Sequence, residues 1–274
     1  MFNQLEILSD EQSKKLYTIR KYIKSLDSVC IAYSGGVDST LVTSLAFEQL
    51  GSKAIAITGI SPALANTLRE EARSQAKWIG VKHLEIKTSE LDESNYTKNP
   101  KDRCFACKKE LHKHTTYLSK KLNYKIVLDG VNMDDLKDYR PGIKASKKAG
   151  VLSPLARFNF SKQDIRDISR ALGFPWWDKP AQPCLSSRFP YGNEITSERL
   201  KMVEKAEEYL KLGGLSEVRV RCQGTTARIE IPKNEFEHFF NKYNLNELVQ
   251  YFTKLGFNCT SLDLEGLISG KLNR

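Results

Sequence analysis

The chain predicts an α/β fold: a doubly wound parallel sheet followed by a small α+β domain with an antiparallel sheet. Short apolar runs alternate with amphipathic stretches of helical spacing through the N-terminal part, the pattern of strands joined by crossover helices. Glycine- and aspartate-bearing turns leave the ends of several of those runs, where an open parallel sheet gathers its ligand loops. After a proline-rich segment, Pro175 to Pro183, the pattern changes to helix, hairpin, helix and strand. A length of 274 residues accommodates two domains, placed at 1–190 and 191–274.

In order, residues 9–26 read as an amphipathic helix with Leu16, Ile19, Ile23 and Leu26 on one face, and Ser9 with Gln12 supplies a capping box. Residues 29–33 are a buried strand. Leu41, Val42, Leu45, Ala46 and Leu50 follow at helical spacing, and Gly51 ends that helix. Residues 54–58 are a second strand. Ser61-Pro62 opens a helix through Trp78, closed by Gly80, and residues 83–86 are a third strand. Residues 88–103 are polar and irregular; Cys104 and Cys107 follow, still in loop, and a helix runs over 108–122. Residues 124–129 are a fourth strand, 152–155 a short strand, and 161–172 a helix capped by Ser161. The second domain reads as a helix over 196–212, a hairpin over 217–222 and 226–231, a helical stretch over 234–255 broken near Asn244, and a third strand over 258–264.

The organising stretch joins the first strand to its helix: Ser34-Gly35-Gly36-Val37-Asp38-Ser39-Thr40. Glycines let backbone N–H groups approach a phosphate, and a helix N-terminus carries partial positive charge. Ser34, Ser39 and Thr40 add hydroxyls. Asp38 would repel a phosphate, so its presence calls for a magnesium ion between the two. The Gly-Lys-Ser/Thr ending of a Walker A loop is missing, as is Gly-x-Gly-x-x-Gly. The stretch resembles the pyrophosphate loop, Ser-Gly-Gly-x-Asp-Ser, of the ATP pyrophosphatase superfamily, whose members split ATP into AMP and pyrophosphate and adenylate an acceptor oxygen. The loops at Thr58-Gly59 and from Gly130 emerge at the same sheet end.

Lys plus Arg is 43 against 33 Asp plus Glu, a formal charge of +10 that favours nucleotides, pyrophosphate or RNA as partners. The lysine pairs are scattered, so RNA binding is compatible with the charge but not indicated by it. No apolar run reaches membrane-span length and residues 1–10 lack a signal pattern, so the expected location is cytoplasmic. Six cysteines are too sparse for a disulfide scaffold. Cys30, Cys222 and Cys259 sit in strands and read as small buried residues. Cys104, Cys107 and Cys184 sit in loops. For the Cys-x-x-Cys pair four readings stay open: a redox pair, a zinc site completed by Cys184 and His112, two unconnected thiols, or a [4Fe–4S] cluster held with Cys184 and leaving one iron open. In the hairpin, Val218, Val220 and Cys222 share one face with Ile229 and Ile231 opposite them. Arg219, Arg221 and Arg228 share the other. Those arginines could hold a phosphate or carboxylate, or form a solvated face paired with Glu230.

Cys184-Leu-Ser-Ser-Arg-Phe-Pro-Tyr-Gly is similar to the Cys-Leu-(Ala/Ser)-Ser-Arg-x-Pro-Tyr-Gly segment of the LarE family. Those are ATP-dependent sulfur transferases that make the thiocarboxylates of the nickel-pincer nucleotide cofactor, and the likeness runs over nearly the whole chain. It implies an adenine nucleotide alpha hydrolase-like fold and ATP with Mg2+ as cofactors. It also implies a pyridinium-3,5-dicarboxylate mononucleotide as substrate, activated as an acyl adenylate before sulfur replaces AMP. Single-cysteine members take the sulfur from the residue matching Cys184; members with an added cysteine pair use sulfide on a [4Fe–4S] cluster. Cys104, Cys107 and Cys184 make this chain resemble the cluster type, with a separate sulfide source and a homo-oligomeric assembly. By the same resemblance Asp38 holds magnesium, Ser34, Gly35, Gly36, Ser39 and Thr40 cradle phosphate, and Thr58 and Gly130 line the nucleotide site. Arg188, Arg219 and Arg221 are candidates for the substrate's phosphate or carboxylates. The competing functions are a tRNA thiouridine synthase using the same adenylation, which the Cys184 segment does not favour, an NAD- or GMP-synthetase-like amide ligase, and a nucleotide-binding regulator that never cleaves ATP.

Overall fold

The computed structural model describes residues 2–268 and 270–271. In chain order its main elements are α1 (Asp10–Lys24), β1 (Val29–Ala32), α2 (Val37–Leu50), β2 (Ala54–Ile60), α3 (Asn66–Ile79) and β3 (Lys82–Lys87). Then come α4 (Ser94–Thr97), α5 (Arg103–Lys121), β4 (Ile126–Leu128), α6 (Pro141–Lys148), α7 (Pro154–Arg157) and α8 (Lys162–Ala171). The remainder is α9 (Ser197–Leu212), β5 (Arg219–Gln223), β6 (Thr226–Glu230), α10 (Phe236–Lys242), α11 (Leu245–Leu255) and β7 (Cys259–Leu262). Two compact units result: Met1–Glu90 with Asp102–Gln182, and Leu91–Lys101 with Pro183–Arg274.

The first unit carries a parallel sheet in the order β3-β2-β1-β4. The chain steps outward from β1 to β2 to β3, then returns to add β4 on the other side of β1. That reversal is the switch point of a doubly wound sheet, and ligands bind outside the carboxyl ends of the two strands flanking it. Alternation along the strands serves both sheet faces. Val29 and Ile31 pack with Ile19, Ile23, Leu41, Leu45, Ile165 and Ile168 from α1, α2 and α8. Cys30, Ile55, Ile57 and Val127 pack on the opposite side with Leu118 of α5. The full burial of all four β1 residues is what a central strand covered on both faces requires.

The caps read from sequence form as expected: Ser9 and Gln12 make the α1 capping box, and Ser161 with Asp164 caps α8. Several local expectations are corrected. The helix expected from Ser61 begins at Asn66, because Ser61 and Pro62 are spent in a turn closed by Leu64 N–H donating to the Ser61 carbonyl at 3.0 Å. The short strand expected over 152–155 is a single parallel bridge, Leu128 to Leu152, followed by α7. Helix α5 starts at Arg103, so Cys104 and Cys107 lie on its first turns and not in the preceding loop.

In the second unit the hairpin β5-β6 is antiparallel, but β7 joins β6 in parallel, so the small sheet is mixed. The α10-α11 crossover brings the chain back to the same sheet end, which only a parallel strand can use. The break near Asn244 is real: α10 stops at Lys242, and Asn244 caps α11, accepting from the N–H groups of Asn246 and Glu247. Val220, Cys222, Ile229 and Ile231 are buried as the alternation requires. Cys259 is exposed on the edge strand rather than buried. The segment 91–101 belongs to this unit through Asn99, whose side-chain amide donates to the Phe189 and Pro190 carbonyls at 3.2 and 2.7 Å, and Tyr96, whose hydroxyl lies 2.5 Å from that of Ser186.

Candidate active site

The loop Ser34 to Thr40 leaves β1 at the switch point. Gly35 takes φ +71°, and a Cβ there would lie 2.9 Å from the Ala72 Cβ of α3, so only glycine fits. Gly36 is the N-cap of α2 and supplies no side-chain cap, leaving the first-turn N–H groups free of side-chain acceptors. The Ser39 hydroxyl ties the loop together. It lies 3.1 Å from the Ser34 hydroxyl, accepts from Ser34 N–H at 3.2 Å and donates to the Gly36 carbonyl at 3.1 Å. Across the switch point Gly130 is pressed on this turn: a Cβ on it would lie 2.6 Å from the Ser39 nitrogen. The result is a backbone-lined cradle at a helix N-terminus, the geometry of an anion site.

Two hydroxyls are turned elsewhere. Thr40 donates to Gln75 Oε1 at 3.1 Å, and Thr58 donates to the Tyr33 carbonyl at 2.8 Å while facing His83 Nε2 at 2.8 Å. Both are buried, so they hold the walls of the cradle, with Thr58 tying β2 to the residue just before the loop. His83 is pushed below its ordinary pKa by burial.

Asp38, on the first turn of α2, is held from two sides. Asn132 donates its amide to Oδ1 at 3.2 Å, and the Lys162 ammonium stands 2.5 Å from Oδ2. Asn132 itself is fixed by a turn: its Oδ1 accepts from Asp134 and Asp135 N–H at 2.9 and 3.1 Å, and its own N–H donates to Asp135 Oδ2 at 3.1 Å. Arg140 pairs with Asp135 at 2.9 Å; burial raises the Asp135 pKa in spite of these partners. Lys179 pairs with Glu71 and reaches the Gly35 carbonyl at 3.4 Å. An oriented carboxylate beside an anion cradle is the kind of oxygen donor a hard divalent cation takes, and its Oδ2 already faces a positive charge.

Cys104 is exposed and Cys107 half-buried, three residues apart on one side of α5. Helix α6 lies so close that a Cβ on Gly142 would meet Lys108 Cγ at 2.9 Å and the Cys104 carbonyl at 3.4 Å. A helix N-terminus favours thiolate, the form that binds metals. His112 is fully buried with Nε2 2.8 Å from the Ser146 hydroxyl, and burial pushes its pKa down to about 4. It is directed at α6 and does not extend the cysteine pair. Within neither unit do the described residues gather three or more His, Cys, Asp or Glu side chains as a metal site.

In the second unit Cys184 is exposed and precedes a short turn, Leu185–Arg188, closed by Ser187 N–H donating to the Cys184 carbonyl at 3.0 Å. Arg188 is buried against Glu207 in a two-pronged pair at 2.7 and 3.0 Å. Burial alone would lower its pKa; the Glu207 carboxylate outweighs that and leaves it raised. Arg221 donates to Glu230 at 2.9 Å and to the Ser187 carbonyl at 2.6 Å, and Glu230 is fully buried. Arg221 is therefore covered by the Cys184 segment rather than open to water, while Arg219 and Arg228 stay partly exposed. Arg219 is half-buried, and its pKa is lowered by burial and then by the charges of Arg188 and Arg221. A cationic group held in that company favours an anion beside it.

Strand, glycine loop and a helix start without a side-chain cap at the switch point define an α/β protein with a backbone-lined cradle and an oriented carboxylate, Asp38, beside it. No protein-family model matches the chain. The pyridinium-3,5-bisthiocarboxylic acid mononucleotide synthase of Lactiplantibacillus plantarum is 35% identical over 262 residues, 94% of each chain. An uncharacterised protein of Synechocystis sp. is 53% identical over 95% of this chain and 97% of its own, and one of Methanocaldococcus jannaschii is 32% identical over 92% and 96%. The chain belongs to the LarE family.

Asn132, Asp135, Lys162 and Lys179 join the site only through the fold. The turn containing Asn132 was visible as Gly130 to Asp135. Lys162 and Lys179 carry no local signal, because their partners lie more than a hundred residues upstream.

Proposed function

We propose that the chain is an ATP-dependent sulfur transferase that converts a carboxylate of a pyridinium dicarboxylate mononucleotide into a thiocarboxylate. The observation that carries this is the near full-length likeness to a synthase of pyridinium-3,5-bisthiocarboxylic acid mononucleotide, together with the anion cradle at Gly35, Gly36 and Ser39. No described helix is long and apolar enough to cross a membrane, as suits a small-molecule reaction in water.

A carboxylate resists attack because its oxygen is a poor leaving group. In the proposed first step a carboxylate oxygen of the substrate attacks the α-phosphorus of ATP, the bond to the β-phosphate oxygen breaks, and pyrophosphate departs. The cradle's N–H groups meet the departing charge before it develops, and the linked hydroxyls of Ser34 and Ser39 hold the loop in that shape. Magnesium, held by Asp38, would supply further charge neutralisation there. Gly130 closes the cradle and lines the nucleotide side. In the second step a sulfur nucleophile attacks the acyl carbon and the acyl–oxygen bond to AMP breaks.

Cys184, Cys104 and Cys107 are the three thiolates we assign to a [4Fe–4S] cluster, with the transferred sulfur coming from a separate sulfide source and not from Cys184 itself. A cluster held by three thiolates would leave one iron open to sulfide. The two thiols on α5 fit as donors: they are accessible, share one helix side and lie at its N-terminus. Arg219 is the substrate-anion ligand of the arginine group, and Arg188 and Arg221, each paired to a buried carboxylate, hold the wall behind it.

The test is acceptor-dependent turnover: AMP and pyrophosphate should appear in equal amounts only when the dicarboxylate mononucleotide is present. ADP formation, or pyrophosphate release that ignores the acceptor, contradicts the proposal.

A further inference from the structure

We propose that Lys162 is an internal counter-ion of the loop. It holds the Asp38 carboxylate while no nucleotide is bound, yields it to the incoming metal, and then clamps the pyrophosphate group. This rests on the reading that metal-bound ATP occupies the loop, and it adds a residue and an exchange that the reading does not contain.

The geometry makes the exchange specific. Asp38 Oδ1 is occupied by Asn132, whose own position is locked by Asp134 and Asp135, so the carboxylate cannot swing to a new partner. Only Oδ2 can change hands, and Lys162 Nζ sits on it at 2.5 Å. An ammonium and a divalent cation on that one oxygen repel each other, so each weakens the other's hold and the two compete for it. The lysine is built to move and its backbone is not. Its N–H donates to Asp134 Oδ2 at 2.7 Å at the capped start of α8, while its side chain stays 35% exposed on a flexible four-carbon stem. Arg140 is already committed to Asp135, leaving Lys162 as the cation nearest Asp38. Asp38 belongs to the same first turn whose N–H groups form the cradle. A lysine released from Asp38 is therefore next to whatever phosphate the cradle holds, where its charge offsets the leaving group.

Two opposite changes are expected when the charge is removed. Nucleotide-free Lys162→Met and Lys162→Gln should bind Mn2+, followed by electron paramagnetic resonance, about tenfold more tightly than the unaltered protein. The same variants should bind pyrophosphate with Mg2+, followed by calorimetry, about tenfold more weakly; tenfold corresponds to about 1.4 kcal/mol. Lys162→Arg should keep Mn2+ affinity near the unaltered value. A merely structural lysine would not move the two affinities in opposite directions. Unchanged or weaker Mn2+ binding in both neutral variants, or unchanged pyrophosphate binding, overturns the inference alone. If the unaltered protein binds neither Mn2+ nor pyrophosphate, this inference and the ATP-dependent reading both fall.

Discussion

Gly130→Ala isolates the contact that joins the two halves of the switch point. The added Cβ would sit 2.6 Å from the Ser39 nitrogen, 2.9 Å from its Cα and 3.0 Å from the Asp38 carbonyl carbon, all backbone, so no rotamer change relieves it. Ordinary contact begins at 3.4 Å, so the start of α2 and the end of β4 must part by roughly 0.8 Å. Overpacking of this kind costs about 1–3 kcal/mol of stability, a fall in melting temperature of about 2–4 °C for each kcal/mol in a chain of this size. The functional cost is expected to be larger, since misplacing reacting groups by about 1 Å lowers rates on the order of a hundredfold. Gly150→Ala is the control: it forces φ +72° on an alanine but meets nothing within 4 Å, so it should lose about 1–2 kcal/mol of stability and keep nucleotide affinity. Calorimetric titration with ATP and Mg2+ reads the affinity, and thermal unfolding reads the stability. If Gly130→Ala binds ATP as tightly as Gly150→Ala does, the cradle is not where ATP sits.

Three more outcomes follow from particular groups. Glu207→Gln leaves the Arg188 guanidinium buried without its charge partner and should destabilise the second unit by about 3–5 kcal/mol, read from hydrogen exchange at the Val220 amide, which donates to Glu207 at 2.9 Å. A loss below about 1 kcal/mol would mean the pair is solvated. For His112 the folded pKa is depressed to about 4, so the unfolded chain takes up the proton first as pH falls below about 6.5. Its contribution is complete above pH ~6.5 and is lost down to pH ~4, at up to about 1.4 kcal/mol per pH unit. Urea unfolding at pH 7.5, 6 and 5 should show that slope, and His112→Asn should flatten it; an equal slope in the variant rejects the assignment. Anaerobically purified protein should carry about four irons per chain, as a cubane cluster requires, and Cys104→Ser or Cys107→Ser should lose them, whereas zinc in their place contradicts the cluster.

The pyrophosphate-type loop was legible because its parts are consecutive: strand, glycines, carboxylate and helix start occupy one short stretch, and each imposes a local backbone demand. Caps at Ser9 and Ser161 were legible for the same reason. What sequence hid depends on distant partners. Residues 91–101 look like a polar loop, yet Asn99 and Tyr96 earn their burial from Phe189, Pro190 and Ser186 some ninety residues on. The period of the hairpin placed Arg221 and Glu230 on an outer face correctly, but periodicity does not say what covers a face; the Ser187 carbonyl does so here. The strand at Cys259 was legible, but an antiparallel pairing was expected where the α10-α11 crossover makes it parallel. Lys162 was invisible because a lysine at the first position of a capped helix is ordinary until its partner 124 residues away is known.

The most direct measurement is the mass of the acceptor after anaerobic incubation with ATP, Mg2+ and a sulfide source, paired with the intact mass of the protein. The account predicts an acceptor in which a carboxylate oxygen has been exchanged for sulfur, one AMP per exchange, and a protein whose Cys184 is unaltered after repeated turnover. Conversion of Cys184 to dehydroalanine after a single turnover would contradict the cluster, and an acceptor returned without sulfur while ATP is consumed would contradict sulfur transfer itself.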